Sequence, residues 1–423
     1  LVVSVAYDSS LSRGSGAVKA GRPLHSKPDI KNIRLEYLFR EYFPLFRRQT
    51  LMSRMLLRRI VKTTCVISLM LLANPDRAFS QGSLEDWQQE ELRPLMERVT
   101  SIYRSEAPAE NAFEISVDFL KGGTDADTGN GLIFVPFTLE ANVSAFSMSE
   151  FLMYLLVVPH TDPATREAAA APAGPRSSNS SAAAPTDPNI AAELFESRVF
   201  EDVFFISVSD VESDDDELLK FDRAFQAPAG NYDAYIVVRD SVGEDGDRGE
   251  LSESVIITSV EQIEVPDYWN GDLQTSSIIS ASSFEELNQP LSQEEQRTQP
   301  YTFNTTQFVP KRDRNYSKAE DSLTLLFFVY NPQLDGDQAN VTVEFEFQTI
   351  NANGESFFNR TAPQEFNAQT LPAGFDALTN GIPSQVSIPL SGFPVSEYRL
   401  EIKVTDIAAA QTLNHDFVFI VDE

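Results

Sequence analysis

From Phe113 onward the polar and apolar positions alternate with a period of two, whereas the stretch just before it repeats every three to four residues. Ser83 to Arg104 places Leu84, Trp87, Leu92, Leu95, Val99 and Ile102 on one stripe, with Ser83 positioned to cap and acidic residues in the first turn. That pattern predicts an amphipathic helix. Pro94 lies inside it and is expected to kink or split it, because proline lacks the N–H and clashes with the preceding turn. A linker is expected up to Ala112.

The period-two segments predict strands at 113–120, 132–139, 151–159, 199–208, 232–240 and 253–265. A Glu/Gln-rich polar stretch, 281–300, reads as a linker between domains. Beyond it further strands are expected at 323–330, 341–349, 355–361, 385–390, 398–406 and 413–421, with Asn353-Gly354 as a hairpin turn. Many short strands with almost no helix predict a mainly β fold, two Ig-like or fibronectin-like antiparallel β-sandwiches preceded by the helix. The expected domains are 81–112 (helix and linker), 113–280 (first sandwich) and 301–423 (second sandwich). Residues 160–192, rich in Pro, Ala and Ser, read as a flexible insertion between two strands of the first sandwich.

The N-terminal part has another pattern. Arg54, Arg58, Arg59 and Lys62 precede an apolar run from Thr63 to Ala73, and Ala78-Phe79-Ser80 puts small residues at −3 and −1 before Gln81. This is the order of a cleavable signal peptide over 52–80, the run being shorter than the ~20 residues needed to span a bilayer. Cys65 has no lipobox before it. Residues 1–51 are basic, contain no methionine and read as a spurious or disordered extension. The expected location is the periplasm, outer-membrane surface or extracellular space of a Gram-negative bacterium.

Removing residues 1–80 changes the charge picture. The whole chain carries 33 basic and 63 acidic residues. The segment from Gln81 keeps 19 and 58 of them and no cysteine, for a net charge of −39. Such a surface repels phosphate backbones and anionic lipid, which argues against a nucleic-acid partner and leaves membrane contact to an uncleaved signal. Thiolate metal sites and disulfides are absent from that segment. The Asn-x-Ser/Thr sequons at Asn142, Asn304, Asn340 and Asn359 are what a Ser/Thr/Asn-rich chain contains by chance.

The two halves share a unit. Pro228-Ala229-Gly230-Asn231-Tyr232 runs into DAYIVVRD, and Pro394-Val395-Ser396-Glu397-Tyr398 runs into RLEIKVTD, at a constant offset of 166. A turn entering the penultimate strand, with a tyrosine hydroxyl anchoring the corner, is the physical reading, and it implies a tandem repeat. The Pro-x-Gly-x-Tyr strand, VPDYWNGDLQTSSII, FVP, LTLLFFVY and YRLEIKVTD together make residues 198–423 resemble the C-terminal β-sandwich region of exported bacterial GWxTD-domain and VWFA-related proteins. Neither a Gly-Trp-x-Thr-Asp motif nor an Asp-x-Ser-x-Ser metal signature is present, so the resemblance implies architecture and export without an active site.

Candidate chemistry is sparse. His160 borders the insertion, and His415 shares a strand face with Phe417 and Phe419; neither position promises the held base a nucleophile triad needs. Fifty-eight carboxylates hide any glycosidase pair. Asp125-x-Asp127-x-Gly129 comes near a calcium loop but lacks the fifth ligand and the Glu at position 12. Asp210, Asp214–Glu217, Glu244–Asp247 and Asp335–Asp337 are further acidic turns, read as solvated, with calcium as the other use. Tyr268 and Trp269 are the only ligand-binding candidates: an exposed aromatic pair would stack on a sugar ring or a partner, and a packed one would fill the junction between modules. No phosphate-cradling glycine loop occurs. No cofactor, catalytic residue or metal ligand is assigned. The expected function is a non-catalytic structural or protein-interaction module, with a carbohydrate-binding accessory or a carboxylate-pair hydrolase as the alternative.

Overall fold

The structure, a computed structural model, describes residues 84–423 apart from 106, 111–112, 143–148, 162–193, 208–211, 214–217, 245, 293–294, 320–321 and 353. The expected signal peptide, the 1–51 segment and nearly all of the 160–192 insertion lie outside the described residues, as do Ser83, Asp210 and Asp214–Glu217.

The N-terminal helix is α1 (Asp86–Tyr103), and it runs unbroken through Pro94. Its start is at Glu85, whose N–H donates to Gln88 Oε1 at 2.9 Å. The helix survives the proline because tertiary packing pins it on both sides: Leu92, Leu95, Val99 and Tyr103 are all buried in one cluster. That cluster is the outer face of a sheet of the first sandwich, so α1 docks on its own module.

The first sandwich is built from β1 (Glu114–Val117), β2 (Leu120–Thr124), β3 (Gly131–Asn142), β4 (Glu150–Pro159), β5 (Phe200–Ser207), β6 (Glu212–Ser213), β7 (Leu218–Ala227), β8 (Gly230–Ser241) and β9 (Ile257–Val265). One sheet has the order β1-β3-β7-β6 with β2 also on β3, and the other has the order β5-β4-β8-β9. All of these pairs are antiparallel. Phe151, Met153, Leu155 and Val157 of β4 face the core between the sheets, and Leu152, Tyr154, Leu156 and Val158 face α1. This explains why FLMYLLVV is apolar without alternation: a strand buried on both faces has no solvent side. β4 and β5, on either side of the insertion, pair directly along Glu150–Val157.

The second sandwich contains β10 (Gln274–Thr275), β11 (Ile279–Glu286), β12 (Thr302–Phe303), β13 (Thr306–Pro310), β14 (Asn315–Ser317), β15 (Ser322–Tyr330), β16 (Leu334–Asp335), β17 (Gln338–Ala339), β18 (Val341–Asn351), β19 (Gly354–Arg360), β20 (Gln364–Phe366), β21 (Ile382–Pro389), β22 (Ser396–Asp406) and β23 (Gln411–Asp422). One sheet runs β10-β15-β11-β13-β12, with β21 on the free side of β15, and the facing sheet runs β14-β23-β22-β18-β19, with β20 on β18. β14 joins β23 in parallel, and β16–β17 is a separate small hairpin. Two further short helices, α2 (Glu295–Thr298) and α3 (Ala377–Asn380), lie between strands. The β18–β19 hairpin closes at Asn351 and Gly354, where Gly354 takes φ 106°.

The fold is therefore mainly β, two antiparallel sandwiches with an N-terminal helix. Its internal boundary differs from the expectation. The first part of the expected linker, 281–286, is strand: β11 pairs β15 through Ile279–Ala281 and then β13 through Glu286, as part of the second sandwich. The described residues all fall in one compact unit. Other strands depart too. The expected strand 113–120 breaks into β1 and β2 around Asp118 and Phe119, and of 253–256, Glu253 ends a 3₁₀ turn and 254–256 lead without regular structure into β9. β7 departs from the expectation too: Lys220 and Asp222 keep to its polar face, but Arg223 falls on the apolar face between Phe221 and Phe225 and breaks the alternation.

Both tyrosine corners are formed. Tyr232 donates its hydroxyl to the Pro228 carbonyl at 3.0 Å, and Tyr398 donates to the Pro394 carbonyl at 2.7 Å. Each satisfies a backbone acceptor at the entry to a penultimate strand, β8 or β22.

Candidate functional site: the junction between the sandwiches

The break between β1 and β2 sets the geometry of the junction. Asp118 leaves the ladder there and is buried, its own N–H held by the Pro136 carbonyl at 2.9 Å. Its Oδ2 accepts from Tyr301 Oη at 2.9 Å and from Arg312 Nη1 at 2.8 Å, both from the second sandwich. Arg312 also donates to Thr138 Oγ1 from Nε (3.1 Å) and Nη2 (2.9 Å), and its Nη2 bonds Tyr301 Oη. The Thr138 hydroxyl in turn donates to Asp222 Oδ1 at 2.6 Å. Burial and the neighbouring Asp118 charge push the Tyr301 hydroxyl well above its ordinary value. Burial alone would lower the Arg312 guanidinium, but Tyr301, Asp118 and Asp222 outweigh it and hold it raised. The network is a charge-assisted clamp across the two modules.

A second clamp closes the other side. The Phe119 N–H donates to Ser277 Oγ at 2.9 Å, and the Ser277 N–H donates to the Phe119 carbonyl at 3.0 Å. Lys121 N–H donates to Tyr330 Oη at 3.0 Å, while Lys121 Nζ donates to Asn331 Oδ1 (3.1 Å) and the Leu378 carbonyl (2.9 Å). Burial lowers the Lys121 ammonium against the opposing pull of Asp376. A third contact comes from α2, where Arg297 lies 3.1 Å from the buried Asp202 of β5 and over the Phe200 ring at 5.3 Å.

Tyr268 and Trp269, the two ligand-binding candidates, belong to the second clamp. Tyr268 is 4% exposed, inside the first core, with its ring 4.9 Å from Tyr330 and its hydroxyl 3.4 Å from the Phe119 carbonyl. The pair is thus not an exposed platform: Tyr268 has no open face, and only Trp269, at 37%, reaches solvent. Trp269 donates Nε1–H to the Leu132 carbonyl at 3.1 Å and stacks under Lys121 Nζ at 4.3 Å. Its ring lies so close to Gly131 that a Cβ there would sit 2.1 Å from it, which is why glycine occupies the start of β3. Trp269 and Lys121 line a cleft of about 650 Å³ with Asp272, Asn331 and Asp406.

The other candidates are dispersed. His160 Nδ1 lies 2.7 Å from Asp233 Oδ1, with Gln262 Nε2 at 3.5 Å. His415 Nε2 is 3.0 Å from Thr275 Oγ1, and burial lowers its pKa against Asp416. The two histidines are on different sandwiches and are not brought together. Asp125 Oδ1 accepts from Asp127 N, Thr128 N and Thr128 Oγ1, an Asx turn rather than an open ligand set. Glu244 lies in a loop organised by Arg248, which donates to the Gly243, Glu244 and Gly246 carbonyls. Among the described residues no group of three or more His, Cys, Asp or Glu is placed to hold a metal ion. Asp118, Arg312 and Tyr301 carry no signal in the sequence, where each is one polar residue among many; only the loss of alternation at Phe119-Leu120, just after Asp118, marks the place.

No family model matches the sequence, and no curated protein matches it. Among solved structures, the trypsin-activated alpha-2-macroglobulin of Escherichia coli is similar at 11% sequence identity over 73% of this chain, with a TM-score of 0.18. The match spans 16% of that protein's length.

Proposed function

We propose that the chain is an exported, non-catalytic β-sandwich protein that acts as a stiff two-module structural or interaction element in the envelope or outside the cell. The observation that carries this reading is the Asp118–Arg312–Tyr301 clamp, which ties the first sandwich to the second through buried, charge-assisted hydrogen bonds. A protein that only tethered two binding domains has no use for a buried, charge-assisted joint; one that must present two surfaces at a fixed spacing does.

Three carboxylates held near the junction also favour a non-catalytic role. Asp118 binds Arg312 and Tyr301, Asp222 accepts from Thr138, and Asp406 accepts from the Gln333, Ala408 and Ala409 amides. Carboxylates saturated by the fold are poor acids and bases for a substrate. Export rests on the signal-like order of 52–80, and kinship with the exported GWxTD-domain and VWFA-related proteins rests on the paired Pro-to-Tyr strand units.

Small-angle scattering tests the stiffness: a single arrangement of the two sandwiches fits the profile, and a profile that needs an ensemble of hinge angles overturns the reading. N-terminal sequencing of the product exported by a Gram-negative host tests the address. The expected start is near Gln81, and a product retaining residues 1–51 removes the export half of the proposal.

A further inference from the structure

Behind the first clamp lies an open groove of about 560 Å³, walled by β5 and β7 of one sandwich and by β13 and the segment following it from the other. Its lining gathers Lys220, Arg223, Lys311 and Arg312 against Asp222 and Asp313. In a chain of net charge −30 this is a local reversal of sign. The cations are not equivalent. Arg312 is saturated by the clamp. Lys311 lies 3.0 Å from Asp313, and Lys220 is 3.5 Å from Glu140.

Arg223 is different. Nη1 donates to the Asp222 carbonyl at 2.7 Å, and Nε is buried with no hydrogen-bond partner. Its guanidinium lies 4.9 Å from the Phe204 ring and 5.6 Å from the Phe221 ring. Among the described residues no carboxylate forms an ion pair with it. Desolvation pulls its pKa down to about 10, with Asp222 and Asp202 acting in the other direction. A guanidinium held in this way, over aromatic rings and short of acceptors, suits the capture of a carboxylate.

We propose that this groove binds the carboxylate side chains of an acidic polypeptide segment of a partner, with Arg223 as the principal contact and Lys220 and Lys311 at the rim. The apolar part of the lining selects a polypeptide over a bare anion. Ile206 and Val309 border the same groove, and Val309 is 38% exposed. An inorganic ion gains nothing from such a wall, whereas the methylenes of a glutamate do. Gln299 and Gln307, joined by a 3.3 Å bond from Gln307 Nε2 to Gln299 Oε1, add side-chain amides along the trough whose remaining N–H and C=O groups suit a peptide backbone. The strongly negative remainder of the surface repels an acidic partner, so binding concentrates in this one place. The assignment rests on the reading of the chain as an interaction module.

The test uses the full chain and a fluorescein-labelled hexaglutamate peptide, read by fluorescence polarisation, with inorganic phosphate and a hexalysine peptide as comparison probes. The peptide is expected to bind, to weaken as salt rises, and to lose about tenfold in affinity with Arg223→Gln, the scale of one charge-assisted contact. Arg223→Lys, which keeps the charge and loses the fork, falls between. Should Arg223→Gln fail to fold, Lys220→Gln and Lys311→Gln carry the test, since both are rim residues whose removal weakens binding with the melting temperature unchanged. Absence of peptide binding, equal binding by all variants, or phosphate binding as tightly as the peptide overturns the proposal. A blank result beside a stiff scattering profile removes the groove assignment alone and leaves the two-module reading in place.

Discussion

Two kinds of residue show how single side chains hold this fold. The corner tyrosines each satisfy a proline carbonyl at the mouth of a strand, and Tyr398 is fully buried. Removing the hydroxyl leaves that carbonyl without its partner, so Tyr398→Phe is expected to lower unfolding free energy by about 1 kcal/mol in urea titration, and Tyr232→Phe by a similar amount. An unchanged midpoint for both would show that the corners are ornamental. His415 acts through pH. Its folded-state pKa is depressed below 6.5 by burial, with Asp416 opposing. The unfolded chain therefore takes up the proton first, and the stability this group contributes is present above pH 6.5 and falls away as pH drops through the folded value. His415→Gln is expected to flatten melting temperature against pH in that window. The corners were legible in the sequence because proline and tyrosine recur at one offset in both halves. Tyr268 was not, because an aromatic beside Trp269, Asn270 and Gly271 looks the same whether its ring faces solvent or a neighbouring module.

At the scale of elements, the helix was readable and its fate was open. An apolar stripe says that α1 must bury one face without saying against what; the unalternating apolar run of β4 supplies the answer, since that strand needs cover on both sides. Leu95, fully buried in that contact, is expected to cost about 2–5 kcal/mol on change to Ala, through lost burial and the cavity left behind. Pro94 gives a prediction of the opposite sign. It sits inside a continuous helix, where proline is about 3 kcal/mol less favourable than alanine. Pro94→Ala is expected to raise the melting temperature, and a fall would mean that its ring packs productively. β11 shows where element reading failed: only Ile279, Ser280 and Ala281 are buried, and the following SSFEE is exposed along its length. A strand made largely of polar residues carries no period-two signal, because it is its hydrogen-bonded neighbours β13 and β15 that define it.

For the whole molecule, the question is what keeps two acidic sandwiches in one arrangement. Net repulsion works against close approach, and the short apolar cluster of Leu120, Ile279, Ala281, Tyr301 and Phe308 is the only separate core at the joint among the described residues. The Arg312 clamp must therefore do more than decorate a contact that hydrophobic burial already secures. Arg312→Met keeps most of the side-chain volume but strands Asp118, a buried carboxylate that then retains only Tyr301 as a side-chain partner among the described residues. Breaking one side of such a pair costs about 3–5 kcal/mol. The expected result has two parts: a lower melting temperature, steeper at low salt where repulsion is unscreened, and a scattering profile that broadens toward a hinged pair. Adding Asp118→Asn to Arg312→Met removes the stranded charge. If the joint is held by burial alone, that double variant recovers both stability and the single arrangement. If the clamp sets the geometry, stability returns in part while the profile stays broad, and the two measurements separate what keeps the modules folded from what keeps them aligned.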